Sequence, residues 1–306
     1  RGLSIPRRMN QHHAPAMRPT PMVRFTKMHG LGNDYIYVNG LQESVDDPEA
    51  LARAIADRHT GVGGDGLILI LPPQNGVEAD LRMRMFNADG SESQMCGNGI
   101  RCVCKYAHDH GLSNAKPMRI ETGAGVLALE YTVDGSGAVE MVTVDMGEPI
   151  LDLPAIPVDA KHLEGSEEST HRFTVDRESL VATFVSMGNP HAIIFVNDVA
   201  GIDLSRLGRR IETHPAFPQR INVHFVQVTS VGEVTMCSWE RGSGATRACG
   251  TGACAVGVAG VLTGRTDRKL LVHFPGGDLQ LRWDEQTNHV FMTGPAVEVF
   301  TGDWPM

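Results

Sequence analysis

The sequence predicts an α+β protein of two similar domains, each a strand-rich sheet wrapped around a central helix. Three observations lead to this prediction. The chain has 306 residues, enough for about two domains with a core each. A Cys-Gly-x-Gly pattern occurs twice, at Cys96 and at Cys249. An alternating strand pattern precedes each cysteine and an apolar helical pattern follows it, which indicates a duplicated structural unit.

Composition limits the classes of function. Hydrophobic residues make up 42% and charged residues 21% of the chain, as is ordinary for a soluble globular protein. The net charge of −9 argues against a nucleic-acid partner. The longest apolar stretch, residues 252–262, is far shorter than the about 20 residues that span a bilayer. We therefore expect no membrane partner and a cytoplasmic location. Residues 1–22 contain four arginines, four prolines and no acidic residue, which predicts a flexible leader.

The first unit centres on Cys96. Residues 81–86, "LRMRMF", alternate as a strand does and lead to Asn87, nine residues before the cysteine. A helix is predicted directly after Cys96, because apolar residues recur there at helical spacing as far as Gly111, which suits a helix end. The members of that apolar face are Ile100, Val103, Cys104 and Ala107.

The second unit repeats this order around Cys249. Residues 234–239, "VTMCSW", form the strand pattern and lead to Glu240, again nine residues before the cysteine. The helix predicted after Cys249 is apolar on nearly all sides and is closed by Gly264, so it should be buried.

Further upstream, each half has a strand that ends in Gly-Asn. Residues 23–28 lead to Asn33, and residues 181–187 lead to Asn189. "GVGGDG" at 61–66 and "INVHFVQV" at 221–228 then occupy comparable places. We therefore expect an N-terminal domain of residues 23–144, completed by 292–306, and a C-terminal domain of 145–291, with a site in the cleft between them.

Cysteine at the start of a helix has a chemical rationale. The first N–H groups of a helix lack intrahelical partners and attract anions such as carboxylates, and glycines allow close approach. The same field is expected to lower the pKa of the thiol. Two such cysteines that face each other across a cleft hold sulfurs on opposite faces of one carbon. One sulfur then removes a proton and the other returns it from the opposite side, which inverts a stereocentre without a cofactor or a metal.

Less specific interpretations apply to other residues. Cys102, Cys104, Cys237 and Cys254 are expected to be core residues. Cys102 and Cys104 point to nearly opposite sides of a helix, so they do not predict one metal site with His108 and His110. Asparagines at turns are often caps, and a lone histidine is often a buried structural residue. A surface ion pair is the corresponding interpretation for Glu240 and Arg241.

The stretches "HGLGNDY", "FNADGSESQMCGNGIRC", "GNPHAIIF", "INVHFV" and "ERGSGATRACGTGA" resemble the diaminopimelate epimerase family, in that family's order, and the resemblance extends from residue 23 to about residue 300. It implies a pyridoxal-independent isomerase with two pseudo-symmetric, barrel-like domains, commonly a homodimer. It also implies a reaction that interconverts LL- and meso-diaminopimelate, in the biosynthesis of lysine and of peptidoglycan precursors.

By position, the resemblance implies that Cys96 and Cys249 are the catalytic bases, with His191 and Glu240 assisting. It also implies polar substrate contacts and a backbone cradle for a carboxylate. The implied contacts are Asn33, Asn87, Asn189, Asn222, Glu240 and Arg241, and the implied cradle is Gly97, Asn98, Gly250 and Thr251.

Two positions depart from the family pattern. Many relatives have Gln where this chain has Gly66, and Glu where it has Ala245. We expect these departures to tune rate or affinity and to leave the reaction unchanged. Two other functions stay open from the sequence. The first is a proline or hydroxyproline racemase of the same fold, and the second is a non-catalytic amino-acid binder or a thiol redox protein, although no Cys-x-x-Cys pair occurs.

Overall fold

A computed structural model describes residues 21–94 and 96–306. The predicted flexible leader therefore lies outside the described residues, apart from its last two. Met22, which the sequence analysis placed in that leader, is instead the first residue of a strand. The backbone oxygen of Pro21 accepts a hydrogen bond from the backbone N–H of Met306 at 2.8 Å, which joins the two ends of the described chain.

The first half of the described chain contains eight strands and two helices. In chain order they are β1 (Met22–Gly30), β2 (Asn33–Asn39), α1 (Pro48–Ile55), β3 (Gly66–Leu71), β4 (Leu81–Asn87), β5 (Glu92–Ser93), α2 (Gly97–Asp109), β6 (Met118–Thr122), β7 (Gly125–Val133) and β8 (Val139–Asp145).

The second half begins with a short 3-10 helix (Ala160–His162). It continues with β9 (Gly165–Glu167), β10 (Thr170–Val175), β11 (Glu178–Ser186), β12 (Pro190–Phe195), α3 (Leu204–Glu212), β13 (Asn222–Ser230), β14 (Glu233–Glu240), β15 (Gly244–Thr246), α4 (Gly250–Leu262), β16 (Lys269–Phe274), β17 (Gly277–Trp283), β18 (Val290–Pro295) and β19 (Val297–Pro305).

The pairing of the strands repeats between the halves. In the first half the order is β1-β2-β3-β4-β6-β7-β8, and the β2–β3 and β4–β6 pairs are parallel while the others are antiparallel. In the second half, β11-β12-β13-β14-β16-β17-β18 shows the same sequence of parallel and antiparallel pairs. The predicted α+β fold of two pseudo-symmetric, strand-rich units is confirmed.

The register of the strands identifies equivalent positions. Tyr35 lies opposite Gly66 in the first parallel pair, and His191 lies opposite Asn222 in the second. A parallel pair needs a crossover between its strands. Helices α1 and α3 cross over between β2 and β3 and between β12 and β13, and helices α2 and α4 cross over between β4 and β6 and between β14 and β16. The predicted strands that lead to Asn87 and Glu240 are β4 and β14, so the sequence correspondence holds in the structure.

The two central helices share one core. Buried residues of α2 and α4 belong to a single hydrophobic cluster that includes side chains of both sheets. Helices α1 and α3 each cover the outer face of their own sheet through a separate cluster. Nearly every residue of α4 is buried, as predicted. The start of this enclosed helix, with the Cys-Gly pattern of the repeat, lines a cleft.

The halves are joined along strands. β8 pairs with β18 from the second half, and β19 returns to pair with β1. We propose that β19 completes the N-terminal unit and that the boundary falls after β8, which ends at Asp145. Among the described helices, none combines the length and the apolar character needed to cross a membrane.

Candidate active site

A cleft of about 1370 Å³ lies between the two halves and is lined by residues of both. Most of the residues expected at the site line it. They are Asn33, Asn87, Cys96, Gly97, Asn98, Asn189, Glu240, Arg241, Cys249, Gly250 and Thr251. His191 and Asn222 lie behind the wall of the cleft, with 0% and 3% of their surface exposed. The structure thus brings together the residues that two distant stretches of sequence supply.

Both cysteines occupy the position that precedes a central helix. Cys96 is the N-cap of α2 and Cys249 is the N-cap of α4, each with extended backbone geometry. The first N–H groups of each helix have no intrahelical carbonyl partner and carry partial positive charge. Gly97 and Gly250, the first helical residues, therefore present backbone donors to the cleft from both sides.

Met292 of β18 lies against both helix starts. A Cβ atom added to Gly97 would be 3.0 Å from Met292 Cε, and one added to Gly250 would be 2.9 Å from Met292 Sδ. The starts of α2 and α4 are therefore separated by little more than one methionine side chain.

Cys96 is half-buried and hydrogen-bonded on two sides. Its sulfur accepts from the Gly99 N–H at 3.4 Å and donates to Asn33 Oδ1 at 3.5 Å. The Asn33 amide nitrogen in turn donates to Asp65 Oδ2 at 2.6 Å. Burial raises the pKa of the Cys96 thiol, and the N–H groups of Gly99 and Asn98 only partly offset this.

Cys249 is buried, with 3% of its surface exposed, and lies beside the carboxyl group of Glu240. Its sulfur is 3.7 Å from Thr251 Oγ1. Burial raises the pKa of Cys249 well above its ordinary range, and the negative charge of Glu240 adds to this effect. Burial also raises the pKa of Glu240, although hydrogen bonds from Thr246 and Cys249 oppose the shift.

The expectation that the helix starts lower the thiol pKa values is wrong for the protein without substrate. Removal of water from around a thiolate costs more than the backbone N–H groups return. The helix field is present, as the stabilising N–H contacts show, but it does not outweigh burial. Ionisation of either sulfur therefore requires a further positive charge or a nearby base.

The remaining polar residues are held by the backbone around them. Arg241 is exposed at the cleft and donates through Nη1 to the Gln219 carbonyl at 3.2 Å. Asn222 donates to the Pro190 carbonyl at 2.9 Å and accepts the Arg241 N–H at 2.9 Å. Asn222 thus fixes the loop that carries Arg241 from behind the wall.

His191 belongs to a chain of hydrogen bonds beneath the cleft. Its Nε2 is 2.9 Å from Asn189 Oδ1, and its Nδ1 is 2.9 Å from His224 Nε2. His224 Nδ1 is 2.9 Å from Ser238 Oγ. Burial lowers the pKa of His224 to about 3 and lowers that of His191 well below its usual range. Both rings are therefore neutral at pH 7.

His191, His224 and Cys249 place one potential metal ligand atom each within 4.8 Å of one another. The two imidazole rings, however, have centroids 5.1 Å apart and nitrogens 2.9 Å apart, so the nitrogens point at each other along the line between the rings. Ligands of one ion point at a shared centre instead. The arrangement is that of a hydrogen-bonded pair.

Arg101 of α2 lies directly behind the helix start and is 0% exposed. Its Nη1 donates to the Gly97 carbonyl at 3.1 Å and its Nε to the Pro295 carbonyl at 3.2 Å. Within the described part of the chain, Arg101 Nη2 has no hydrogen-bond partner. A buried guanidinium whose partners are two carbonyls and the sulfur of Met292 adds a fixed positive charge behind the donors of the cleft.

Gly66 is explained by a close backbone approach. It faces Asn87 across the β3–β4 pair, and a Cβ atom at this position would overlap the carbonyl oxygen of Phe86. A glutamine cannot occupy this backbone without a shift of the strand. Ala245 is exposed in the short strand β15.

Sequence reasoning missed Asp65, Arg101, His224 and Ser238. A usable signal existed for two of them. His224 lies two residues beyond Asn222 on β13, hence on the same face, and Ser238 is its direct neighbour on β14. Polar residues at such alternating core positions point to a buried network. Asp65 and Arg101 carried no comparable pattern.

Comparison with known proteins agrees with this architecture. The model of the family "Diaminopimelate epimerase" matches residues 25–151 and 183–299. The chain is 52% identical to a diaminopimelate epimerase of Acetivibrio thermocellus over 281 residues, which cover 92% of this chain and 98% of the relative. It is 49% identical to a diaminopimelate epimerase of Methanococcus maripaludis over 282 residues, 92% of this chain and 99% of the relative.

Solved structures share the fold at low identity. A hydroxyproline epimerase from Agrobacterium vitis superposes with a TM-score of 0.65 at 17% identity and covers 92% of this chain and 91% of its own. A Bacillus anthracis protein of the PhzF phenazine-biosynthesis family gives a TM-score of 0.64 at 16% identity, with 94% and 100% covered. These likenesses concern the fold alone.

The duplicated fold with a cleft between its halves defines a class of two-domain proteins that share this architecture. The diaminopimelate epimerases that this chain matches at about 50% identity make it an isomerase. Within that class, the family match and the identities near 50% decide the assignment. The chain belongs to the diaminopimelate epimerase family.

Proposed function

We propose that this isomerase interconverts LL- and meso-diaminopimelate by proton transfer at one α-carbon, with Cys96 and Cys249 as the two bases. One observation carries the proposal. Each cysteine is the N-cap of a central helix, and the two enter the same cleft from opposite halves. A carbon held between them is exposed to one sulfur on each face, as inversion requires.

The hydrogen bonds suggest where the protons reside before reaction. Asn33 turns its amide oxygen towards Cys96, because its nitrogen is held by the acceptor Asp65. An amide oxygen only accepts, so Cys96 is a thiol that donates to it. Its raised pKa agrees with the protonated form.

Cys249 has a base beside it. Burial leaves Glu240 a stronger base than an exposed carboxylate, because it raises the pKa of that carboxyl group. Glu240 therefore takes the proton of Cys249 when the ammonium group of a substrate adds positive charge to the site. The thiolate that results is the base for one direction of the reaction.

The proton balance of one turnover is simple. The Cys249 thiolate removes the α-proton and becomes a thiol, while the C–H electron pair spreads onto the adjacent carboxylate as an enediolate. Cys96 then gives its proton to the opposite face of the carbon and is left as a thiolate. As the product leaves, Glu240 releases the proton it took from Cys249 and the Cys96 thiolate takes up one proton, which restores the starting state. The reverse reaction begins from the Cys96 thiolate, so both sulfurs act in every turnover.

The charge that develops on the substrate carboxylate needs donors. The N–H groups of Gly97 and Asn98 and those of Gly250 and Thr251 supply two from each helix start, and burial of Arg101 behind Gly97 adds a positive field. One donor at a related oxyanion site contributes about 3 to 4 kcal/mol. We assign the distal carboxylate to Arg241, which suits bidentate binding.

The decisive experiment follows the α-proton. LL-diaminopimelate is incubated with the protein in D2O and followed by NMR, with EDTA and without added pyridoxal phosphate. We expect deuterium at one α-carbon as the meso form appears. L-Proline and trans-4-hydroxy-L-proline serve as comparison substrates, and exchange with either of them but not with diaminopimelate would replace the proposal by a racemase of the same fold.

Single alanine variants test the two bases. Cys96→Ala and Cys249→Ala should each lose epimerisation in both directions by about 100-fold or more, the scale of a lost general base. Cys237→Ala is the matched control, because Cys237 lies on β14 and packs against the outer cluster instead of the cleft. Near wild-type activity of either cleft variant excludes that sulfur as a base.

We further propose that the protein acts in the cytoplasm as a homodimer formed along β19. β19 is an edge strand, because it pairs with β1 along one side and with no described strand along the other. The exposed fractions of its residues Val297, Val299 and Phe300 are 41%, 53% and 47%. Exposed apolar residues on an edge strand favour association. Light scattering after size exclusion tests this, with Phe300→Glu expected to shift the mass to that of a monomer.

A further inference from the structure

Beneath the cleft, four side chains form one continuous chain of hydrogen bonds. Ser238 Oγ, His224 and His191 connect in this order to Asn189 Oδ1, and each of the three contacts measures 2.9 Å. His191, His224 and Ser238 are 1% exposed or less, whereas Asn189 lines the cleft. Only the last member of the chain is placed to meet a substrate.

Such a chain has two possible directions. In one, Ser238 donates to His224, His224 donates through Nε2 to His191, and His191 donates through Nε2 to the Asn189 oxygen. In the other, each histidine carries its proton on Nδ1, the Asn189 amide is turned over and Ser238 is only an acceptor. Hydrogen-bond distances alone do not distinguish the two directions.

Ser238 decides between them. Within the described residues, its hydroxyl oxygen has one side-chain partner, His224 Nδ1, and the residue is 1% exposed. In the second direction the hydroxyl proton would be left buried without an acceptor, which costs about 1 to 3 kcal/mol. The first direction satisfies every group in the chain.

We propose that His224 and Ser238 are positioning residues that fix His191 as the Nε2–H tautomer and thereby hold the Asn189 amide with its NH2 group towards the cleft. The proposal rests on the function proposed above. It gives the cleft a donor at Asn189, suited to a carboxylate oxygen of an amino-acid substrate.

The position of Asn189 in the duplicated fold supports this assignment. Asn33 and Asn189 follow equivalent strands, β1 and β11, yet their side-chain amide groups are held in opposite orientations. Asp65 binds the nitrogen of Asn33, whereas His191 binds the oxygen of Asn189. Two related asparagines thus present an acceptor on one side of the cleft and a donor on the other, as a substrate with both an ammonium and a carboxylate group requires.

The location of His224 also fits a positioning role. A Cβ atom on Gly252, in the first turn of α4, would lie 2.6 Å from His224 Nε2 and 3.1 Å from Cys249 Sγ. The ring therefore packs directly against the helix start that carries Cys249. Burial keeps both rings neutral, since the pKa of each histidine is lowered, so the chain transmits orientation and no net charge.

The test uses 15N NMR of histidine side chains in the folded protein, assigned by loss of single signals in His191 and His224 variants. We expect both rings as neutral Nε2–H tautomers at pH 7. His224→Phe removes the donor to His191 and keeps an aromatic ring. His224→Gln keeps an amide N–H close to the place of Nε2–H. His191 should lose its pure Nε2–H signature in the first variant and keep it in the second.

Kinetics supply the second readout. His224→Phe should lower kcat/KM for diaminopimelate by about 10-fold or more, chiefly through KM, and His224→Gln should recover most of the loss. An Nδ1–H or protonated His191 in the wild type, or equal impairment of both variants, overturns the proposal. If neither variant folds, Ser238→Ala decides. If the Ser238 hydroxyl sets the direction of the hydrogen bonds, its removal gives the histidines a second tautomer. If it does not, the tautomers stay unchanged and the proposal is overturned.

These outcomes separate this proposal from the proposed function. The tautomers are read without substrate, so a protein that shows both Nε2–H rings yet does not exchange the α-proton of diaminopimelate refutes the function alone. A protein that epimerises diaminopimelate but carries Nδ1–H on His191 refutes the positioning chain alone.

Discussion

The amide oxygen of Asn33 lies 3.5 Å from the sulfur of Cys96. This orientation has a cause outside the cleft, since the nitrogen of the same amide is 2.6 Å from a carboxylate oxygen of Asp65. Asp65 is itself tied to the Asp34 backbone N–H at 3.0 Å and to Arg58 at 2.9 Å. A rigid acceptor thus decides which end of Asn33 faces the thiol.

Replacement of Asp65 by Asn should disturb that orientation. The new amide offers donors as well as an acceptor, so Asn33 is free to turn its NH2 group towards Cys96, where it no longer accepts the thiol proton. We expect kcat/KM to fall by about 10-fold, the scale of one misdirected buried hydrogen bond. Steady-state kinetics in both directions measure it.

Asp34→Asn is the matched control for this variant. Asp34 shares Arg58 with Asp65 and pairs with Lys27 at 2.6 Å, but its side chain does not hold Asn33. Its loss should lower the melting temperature while kcat/KM stays within about 3-fold of wild type. An equal loss of activity in both variants would show that the Arg58 network, and not the Asn33 orientation, matters.

The raised thiol pKa values predict slow alkylation at neutral pH. Burial keeps Cys96 and Cys249 protonated without substrate, and the pKa of each lies above the ordinary thiol value of 9.0. The rate of iodoacetamide labelling at either residue should therefore still increase above pH 9, because only the thiolate reacts. Labelling that is already maximal at pH 8 contradicts this account, and mass spectrometry of the two peptides reports each site separately.

Arg241 provides a test of specificity. Arg241→Met removes the charge assigned to the distal carboxylate, so KM for diaminopimelate should rise by about 10-fold or more with a smaller effect on kcat. Arg241→Lys keeps the charge without the bidentate geometry and should give an intermediate KM. An unchanged KM in the Met variant would return Arg241 to a surface role.

Acid should destabilise the protein through its buried histidines. The pKa of His191 and that of His224 are lowered in the folded state, His224 to about 3, from an ordinary value of 6.5. Below pH 6.5 the unfolded chain therefore binds more protons than the folded protein. The stability that the two neutral histidines contribute is present above about pH 6.5 and is lost as the pH falls towards their pKa values in the folded protein.

The free energy of unfolding should fall by about 1.4 kcal/mol per pH unit of acidification for each histidine that is protonated only on unfolding. Urea unfolding between pH 7 and pH 5 measures it. His224→Gln should reduce the slope by roughly one histidine's share, while exposed groups titrate alike in both proteins. A slope that is the same in wild type and variant contradicts the buried neutral pair.

Much of the fold was predictable because the duplication is detectable in local sequence patterns. The strands before Asn87 and Glu240 and the helices after the two cysteines all follow from apolar periodicity and glycine punctuation, and they occur as expected. Met22 was misplaced because its pairing with Pro305 lies at the far end of the chain. A local pattern carries no information about such a partner.

The site was predictable where a residue enters the cleft from a repeated turn. It was less predictable behind the wall, where Asp65, His224 and Ser238 act through other side chains and their partners are distant in sequence. The thiol pKa values were misjudged for a related reason. The helix field is local and readable from sequence, whereas burial is a property of the assembled halves, and burial is the larger effect here.

The facing sulfurs also create a liability. Cys96 and Cys249 are both free thiols, and both line the one cleft between helix starts that are separated by the side chain of Met292. A disulfide needs Cα atoms about 4.4 to 6.8 Å apart, so a bond between the two sulfurs requires the halves to bring the pair into that range when no substrate lies between them.

We therefore expect mild oxidation of the substrate-free protein to form a Cys96–Cys249 disulfide and abolish activity. Dithiothreitol should restore the activity, and saturating substrate should slow its loss, because the bound carbon separates the sulfurs. Since the thiols are protonated at neutral pH, the loss should be faster at pH 9 than at pH 7. Peptide mapping decides the matter. The remaining cysteines lie elsewhere, with Cys102 and Cys254 buried inside the central helices, so a bridge that involves either of them, or inactivation with Cys96 and Cys249 still free, is incompatible with two sulfurs that face one carbon.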